Sequence, residues 1–243
     1  MAADQGERIA LVTGASRGLG RAAALALART GAHVIAVART VGGLEELDDA
    51  IKAEGGSASL VPLDLTDFDA IDRLGATIFE RWGRLDMLLG NAGQLGVLSP
   101  LPHVDVAVWD KTLAINLTAN WRLIRSMDPL LRQSEAGRAL FISSGAARHC
   151  RPFWGPYSIT KAGLEAMVRT YAKEMQSTAV RANMIDPGPM RTAMRAKAMP
   201  GEDPETLPTP EQHTPKIIEM LSPGFDRTGV LWDVRRDKYL TFD

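Results

Sequence analysis

The chain has 243 residues, 45% hydrophobic and 23% charged, an ordinary globular composition sufficient for one large α/β domain or two small ones. Its 28 Lys and Arg oppose 29 Asp and Glu, so the net charge is -1 and no global basic field argues for nucleic acid or an anionic membrane. A single cysteine, Cys150, excludes an internal disulfide and a Cys-based zinc site; with no apolar signal core at the start and no apolar run of roughly eighteen residues, the expected compartment is the cytoplasm.

Ile9 to Thr13 is an apolar run that stops at glycine, and it reads as a buried parallel strand. Gly14-Ala15-Ser16-Arg17-Gly18-Leu19-Gly20 follows, then an Ala- and Leu-rich helix from Arg21 to Arg29. Strand, glycine turn and helix form a dinucleotide-binding opening. The glycines let the backbone turn tightly, and the helix N-terminus offers free N–H groups and a positive dipole end to a pyrophosphate. The spacing is G-x-x-x-G-x-G rather than G-x-G-x-x-G, and the turn alone could be only a tight connection.

His33 to Ala38 is the second strand, and its end, Val37-Ala38-Arg39-Thr40, carries no carboxylate for a ribose 2′-hydroxyl. Arg39 and Arg17 are instead suited to a 2′-phosphate, which favours NADP over NAD. Leu44 to Ala53 is an amphipathic helix and Ala58 to Leu63 the third strand, with Asp64-Leu65 at its end, where an adenine would lie. Thr66 can cap a helix through about Glu80. Asp86 to Leu89 is the fourth strand, broken by Gly90-Asn91-Ala92-Gly93. Trp109 to Leu131 is largely helical and carries Asn116. Ala139 to Ser143 is a strand ending at Ser144, Pro156 to Met175 a helix, and Val180 to Ile185 a strand before Asp186-Pro187-Gly188-Pro189. A last strand spans Gly229 to Val234.

Repeated strand–helix units imply a single-domain, Rossmann-like, doubly wound parallel sheet of about seven strands with helices on both faces, occupying 1–243. Ligands bind such sheets outside the carboxyl ends of the strands. Residues 1–7 and 235–243 read as tails. Five prolines from Pro200 to Pro215 break the pattern, and 193–208 reads as a flap over the site. Thr209 and Gln212, at capping-box spacing around Pro210, start another helix.

Tyr157 and Lys161 are four residues apart, so a helix puts both on one face. A nearby ammonium favours the phenolate, so the tyrosine pKa is expected to fall from about 10 towards neutrality. Such a tyrosine can give or take a proton. Alone, the pair also suits an ordinary solvated helix.

Over residues 8 to 234 the chain resembles the short-chain dehydrogenase/reductase family. The motifs occur in order: Thr13-Gly14 with Gly18 and Gly20, Asn91-Ala92-Gly93, Asn116, Ser144, Tyr157 with Lys161, and Pro187-Gly188 with Thr192. Ser144 precedes Tyr157 by thirteen residues, the family's spacing. The resemblance implies a catalytic set of Asn116, Ser144, Tyr157 and Lys161. Tyr157 would be the general acid or base and Lys161 would lower its pKa and hold the nicotinamide ribose. Ser144 would polarise the reacting oxygen, and Asn116 would hold a water that relays protons to Lys161. The implied cofactor wall is Gly14, Ser16, Arg17, Gly18, Leu19, Gly20, Arg39, Asp64, Leu65, Asn91, Ala92, Gly93, Tyr157, Lys161, Pro187, Gly188 and Thr192, around NADP(H). Ser143 faces away by strand parity and is read as structural. The sequence departs from the family at Gly90, where Asn is usual, and at its C-terminus, where Trp232-Asp233-Val234 stands in place of a Val-Asp-Gly-Gly ending.

Pocket candidates are Gln94, Leu95, Ala146, His149, Phe153, Trp154, Met190 and Met194, an apolar set suited to a small hydrophobic carbonyl or alcohol. Arg148, His149 and Arg151 read as a small basic cluster at the rim, either a solvated loop, the more ordinary reading, or a group that could steer an anionic substrate. The readings are an NADP-dependent carbonyl reductase or alcohol dehydrogenase, a 3-oxoacyl-thioester reductase, and a non-catalytic NADP-binding protein. No metal site is read. Trp109 to Leu131 and Pro156 to Met175 carry apolar residues on more than one face, Trp121 among them. In the family such helices pair across a two-fold, which implies a homodimer or homotetramer.

Overall fold

The computed structural model describes residues 7–242. β1 (Ile9–Thr13) is buried along its whole length. Successive side chains of a strand point to opposite faces, so Ile9 and Leu11 enter one core and Ala10 and Val12 the other. After it come α1 (Gly18–Arg29), β2 (His33–Ala38), α2 (Val41–Ala53), β3 (Ser57–Pro62), α3 (Phe68–Trp82) and β4 (Met87–Gly90). The second half holds α4 (Val106–Leu113), α5 (Ala119–Arg132), β5 (Arg138–Ile142), α6 (Ala146–His149), α7 (Gly155–Glu174) and β6 (Arg181–Asp186). α8 (Ala193–Ala198), α9 (Thr214–Leu221), β7 (Leu231–Asp233) and β8 (Lys238–Leu240) complete it.

The sheet runs β3-β2-β1-β4-β5-β6-β7-β8, parallel up to β7, with β8 antiparallel at the edge. α1, α2 and α9 cover one face, and α3, α5 and α7 the other. The order reverses between β1 and β4, which opens a crevice at the carboxyl ends of those strands. Among the described residues no helix is long and apolar enough to cross a membrane.

Several expectations are corrected. Residues 235–242, expected as part of a tail, contain β8. Its three residues carry no long alternating pattern, and side chains hold it instead. The Tyr239 ring lies 4.6 Å from that of Trp232 and its hydroxyl donates to Glu219 at 2.9 Å. The remaining tail residues, 1–6 and 243, lie outside the described residues. α2 begins at Val41 rather than Leu44, because Gly43 lets the helix approach Ser16: a Cβ there would lie 2.9 Å from the Ser16 Cβ. Asp67, not Thr66, caps α3, accepting from the Ala70 N–H at 2.9 Å. The Thr66 hydroxyl turns back to Asp64. The helical stretch carrying Asn116 starts at Val106 and is interrupted by a π turn, Ala114–Thr118.

Within 193–208 the chain forms α8 and a short 3-10 turn, Pro204–Thr206. Ion pairs Arg195–Glu202, 2.5 Å, and Arg191–Glu205, 3.0 Å, hold it together. Gln212 Oε1 accepts from the Thr209 N–H at 3.2 Å, as the capping-box spacing predicts.

Candidate active site

A cavity of about 1580 Å3 opens along the carboxyl ends of the strands. It is larger than the roughly 300–1,000 Å3 of an ordinary small-ligand site. Its volume suits a dinucleotide together with a second molecule. At one end lie Gly14, Ser16, Arg17, Gly18 and Leu19, with Arg39, Asp64 and Leu65 beyond them. No side chain caps the N-terminus of α1, so its first N–H groups are left for an anion. Arg17 has no carboxylate partner among the described residues, and Arg39 meets Asp64 only at 3.8 Å. Two guanidinium groups are therefore free to take a phosphate. These features fit a phosphorylated dinucleotide.

Gly20 does not line the cavity. A Cβ on it would lie 2.2 Å from the Gly14 carbonyl oxygen, so this glycine seats α1 against the turn. Asn91 lines the wall, but its side chain serves the turn too: Nδ2 donates to the Thr13 carbonyl at 2.8 Å. The Thr13 hydroxyl accepts from the N–H groups of Asn91 and Ala92, at 3.0 and 3.1 Å. Sequence reading has Thr13 as a strand end and as part of the Thr13-Gly14 motif, without this bonding role. Gly93, Pro187, Gly188 and Thr192 complete the wall. Thr192 Oγ1 also caps α8, accepting from Arg195 N–H at 3.3 Å.

Ser144, Tyr157 and Lys161 meet at the far end. Pro156 in the first turn of α7 starts the helix, and the four-residue spacing brings Lys161 Nζ to 5.8 Å from the Tyr157 ring centre. Lys161 Nζ donates to the Ile142 carbonyl at 2.6 Å. The expected fall in the tyrosine pKa is overturned. Burial pushes Tyr157 up to about 12; the Ser144 hydroxyl opposes this and the Asp186 charge adds to it. Burial likewise brings Lys161 down to about 8, against the carboxylates of Asp186 and Glu165. Desolvation of the phenolate thus outweighs the neighbouring ammonium. Ser143, as parity predicts, points away and donates to Glu165 at 2.5 Å.

Asn116 is fully buried and does not reach the cavity wall. Its amide clamps the backbone of Gln94: Nδ2 donates to the Gln94 carbonyl and Oδ1 accepts from the Gln94 N–H, both at 2.8 Å. A third bond joins Nδ2 to Thr160 Oγ1 at 3.1 Å. The Asn116 side chain thus fixes the loop after β4 and ties it to α7.

Gln94, Leu95, Ala146, His149, Trp154, Met190 and Met194 all line the cavity. Phe153 does not; it is exposed, with φ 73°, and its loop turns it outward. Trp154 meets Tyr157 edge-on at 6.1 Å. The expected basic rim is also corrected, because Arg148 is drawn inward by Glu165, Asp186 and Asp233. His149 and Arg151 remain on the wall, joined by Arg235 and Arg236 from the β7–β8 turn. The side chain of Arg235 lies over Gly188, its Cγ 3.0 Å from where a Cβ would stand. No linear motif announces these two arginines, since a hairpin folded from the C-terminal stretch delivers them.

A parallel sheet with a glycine turn at its switch point and a serine, tyrosine and lysine at the other end of one cavity defines a nicotinamide-type oxidoreductase architecture. The family model described as short chain dehydrogenase matches residues 8–203, and the chain belongs to this family, whose members bind a nicotinamide cofactor. It is 37% identical over 233 residues to the uncharacterised oxidoreductase YciK of Escherichia coli, covering 94% of this chain and 92% of that one. A short chain dehydrogenase from Shigella flexneri, crystallised in complex with NADP, superposes with a TM-score of 0.90 at 38% identity, covering 95% of this chain and 98% of the other. One from Escherichia coli in complex with NADPH gives a TM-score of 0.89 at 38% identity, over 94% and 96% of the two chains.

Proposed function

We propose that this oxidoreductase is NADP(H)-dependent and interconverts a carbonyl and a secondary alcohol on a small molecule. The observation that carries the reading is the meeting of Ser144, Tyr157 and Lys161 at one end of a cavity whose other end is the open N-terminus of α1. When bound, the nicotinamide supplies or accepts the hydride. Arg17 and Arg39 would hold the 2′-phosphate, a preference supported by the NADP and NADPH complexes of the related proteins. Ser144 would hydrogen-bond the reacting oxygen and hold it beside the Tyr157 hydroxyl. With its pKa near 12, Tyr157 is protonated at neutral pH, which is the form that donates a proton in carbonyl reduction. Alcohol oxidation needs the phenolate and should gain with rising pH. Gln94, clamped by Asn116, and Trp154 would shape the pocket. The protein would act in the cytoplasm as a homodimer or homotetramer, without nucleic acid or membrane, as one domain whose 193–208 segment serves as a flap.

A second reading, reduction of a 3-oxoacyl thioester on an acyl carrier, is favoured by two observations. The chain is 34% identical over 188 residues to a 3-oxoacyl-[acyl-carrier-protein] reductase of Synechocystis. Arg151 and Arg235 also face the cavity without a carboxylate partner among the described residues, and could meet an anionic carrier.

The test is NADPH consumption with aldehydes, ketones, quinones and 3-oxoacyl thioesters, beside NADH and Tyr157→Phe. Turnover with NADPH that falls about 10²–10⁴-fold in the variant supports the reading. Turnover that survives in Tyr157→Phe refutes it, and confinement to thioesters selects the second reading.

A further inference from the structure

Directly behind the Tyr157–Lys161 pair is a buried charge cluster that the proposed reaction does not use. Arg148 sits on α6 with its side chain 22% exposed and faces three carboxylates. Nη1 donates to Glu165 Oε1 at 2.5 Å, Nη2 donates to Asp186 Oδ2, and Asp233 Oδ2 lies 3.6 Å from Nη2. Those three side chains are each 7% exposed or less.

Each carboxylate is committed on its other side to a segment that builds the site. Glu165 Oε1 also accepts from Ser143, the neighbour of Ser144. Asp186 Oδ1 accepts from the Gly188 N–H at 3.0 Å and so fixes the Pro187–Gly188 turn. Asp233 Oδ1 accepts from the N–H groups of Arg235 and Arg236, at 3.1 and 3.2 Å, and so fixes the β7–β8 turn. One guanidinium therefore joins α7 to the ends of β5, β6 and β7. A rigid planar fork with several donors suits this task better than an ammonium. Burying these carboxylates around one guanidinium is costly, and removing it would leave Glu165 and Asp186 without their ion pair, whereas Asp233 keeps Arg236 at 3.7 Å.

We propose that Arg148 is a positioning residue of the active site: it offsets the charge of Asp186 and Glu165 behind Tyr157 and Lys161 and locks the turns that carry Ser144 and Gly188. The inference rests on the proposed role of that pair. The groups acting on Lys161 are Tyr157 and Glu165 on its own helix and Asp186 on β6; Arg148 on α6 pairs with both carboxylates, Arg169 on α7 lies near Glu165, and Asp233 on β7 sits behind, between Arg148 and Arg236. Asp186 and Glu165 favour the charged lysine, and Asp186 disfavours the phenolate. Loss of Arg148 makes the local field more negative, so Lys161 should titrate higher. Glu165 can relieve part of this by taking up a proton, since burial already raises its pKa. Asp186, held by the Gly188 N–H, keeps its share. Neutralising Asp186 acts in the opposite sense.

The experiment is NMR titration of lysine side chains in the full-length protein, with Lys161 assigned from Lys161→Met. Lys161, near 8, separates from ordinary lysines near 10.4. Arg148→Met should raise its midpoint by about one pH unit and Asp186→Asn should lower it by about as much. Arg148→Lys should restore the midpoint yet not the rate of NADPH turnover, because an ammonium cannot bridge all three carboxylates. Shifts of the same sign in Arg148→Met and Asp186→Asn would mean general loosening and would overturn the proposal, as would no shift in either. Should Arg148→Met fail to fold, an unmoved midpoint in Asp186→Asn overturns it alone. Lys161 is read directly here, so failure of the carbonyl-reduction reading shows separately, as turnover surviving in Tyr157→Phe.

Discussion

The ammonium of Lys161 stands 5.8 Å from the centre of the Tyr157 ring while donating to the Ile142 carbonyl at 2.6 Å. Lys161 is buried and Tyr157 is half-buried in the cavity wall, and desolvation drives their pKa values away from the ordinary ones. The folded Lys161, near 8, lies below its unfolded value of 10.5. Between those pH values the unfolded chain holds more protons, so stability rises with pH. Below about 8 the full cost of the buried cation is present. The Tyr157 contribution has the opposite sense, since its folded pKa near 12 exceeds 10.0 and stability is lost across that range. Denaturant unfolding of the apoprotein should therefore show stability climbing from pH 7 towards pH 10. Lys161→Met should flatten that climb and be more stable at pH 7 by about 1–3 kcal/mol. An equal slope in the variant would show that Lys161 is not the group responsible.

Gly90 has a steric reason to be glycine. A Cβ there would stand 2.3 Å from Phe141 Cδ1 and 2.8 Å from Asn120 Oδ1. Asn120 Nδ2 meanwhile donates to the Asn116 carbonyl at 2.8 Å. Gly90→Ala should cost about 1–3 kcal/mol by overpacking, measured as a lower denaturation midpoint. Combining it with Phe141→Leu should cost less than the two single changes together, because the leucine vacates the ring position. Simple additivity would refute the packing argument.

The frame of the molecule was legible because its signals are local. Ile9 to Thr13 and Val34 to Val37 are buried on both faces, and a strand of that kind reads as a plain apolar run. The Tyr157–Lys161 pair was legible through helical spacing. The protonation of that pair was not, since it depends on enclosure by distant segments rather than on the four-residue offset. Arg148 was misread for a related reason: beside His149 and Arg151 it looks like a surface cluster, yet its partners lie 17, 38 and 85 positions away. Arg235 and β8 escaped notice because what fixes them is a set of aromatic and carboxylate contacts from α9 and β7. Asn116 was found by motif, but its bonding to Gln94 emerges only when the π turn meets the loop after β4.

Cofactor choice should rest on Arg17 and Arg39. Their exposed guanidinium groups line the cavity where the proposed reading puts the 2′-phosphate, and Asp64 is too far from Arg39, at 3.8 Å, to compete strongly with it. A charge-assisted hydrogen bond contributes about 1.5–3 kcal/mol, so Arg39→Asp should raise the KM for NADPH about 10–100-fold. The KM for NADH should fall or stay unchanged, because the new carboxylate can accept from a 2′-hydroxyl. Equal effects on both cofactors in steady-state kinetics would refute the assignment.

Self-association is the remaining expectation with a structural handle. Trp121 is 47% exposed on α5 and Ile159 is 41% exposed on α7, although both helices bury their opposite sides in the core. The π turn that leads into α5 packs against α7: the Leu117 side chain lies 3.2 Å from where a Gly163 Cβ would stand. Trp121 is one turn beyond Leu117, and Ile159 one turn before Gly163, so both extend the same packed seam. A partner laid over that seam would remove large apolar side chains from water, worth about 1.5–3 kcal/mol for each aliphatic side chain fully covered. Light scattering should give a mass of two or four chains, and Trp121→Glu with Ile159→Lys should reduce it to one. Because α7 also carries Tyr157 and Lys161, the dissociated variant should unfold at lower temperature and turn over NADPH more slowly. A wild-type mass of one chain would remove the basis for this arrangement.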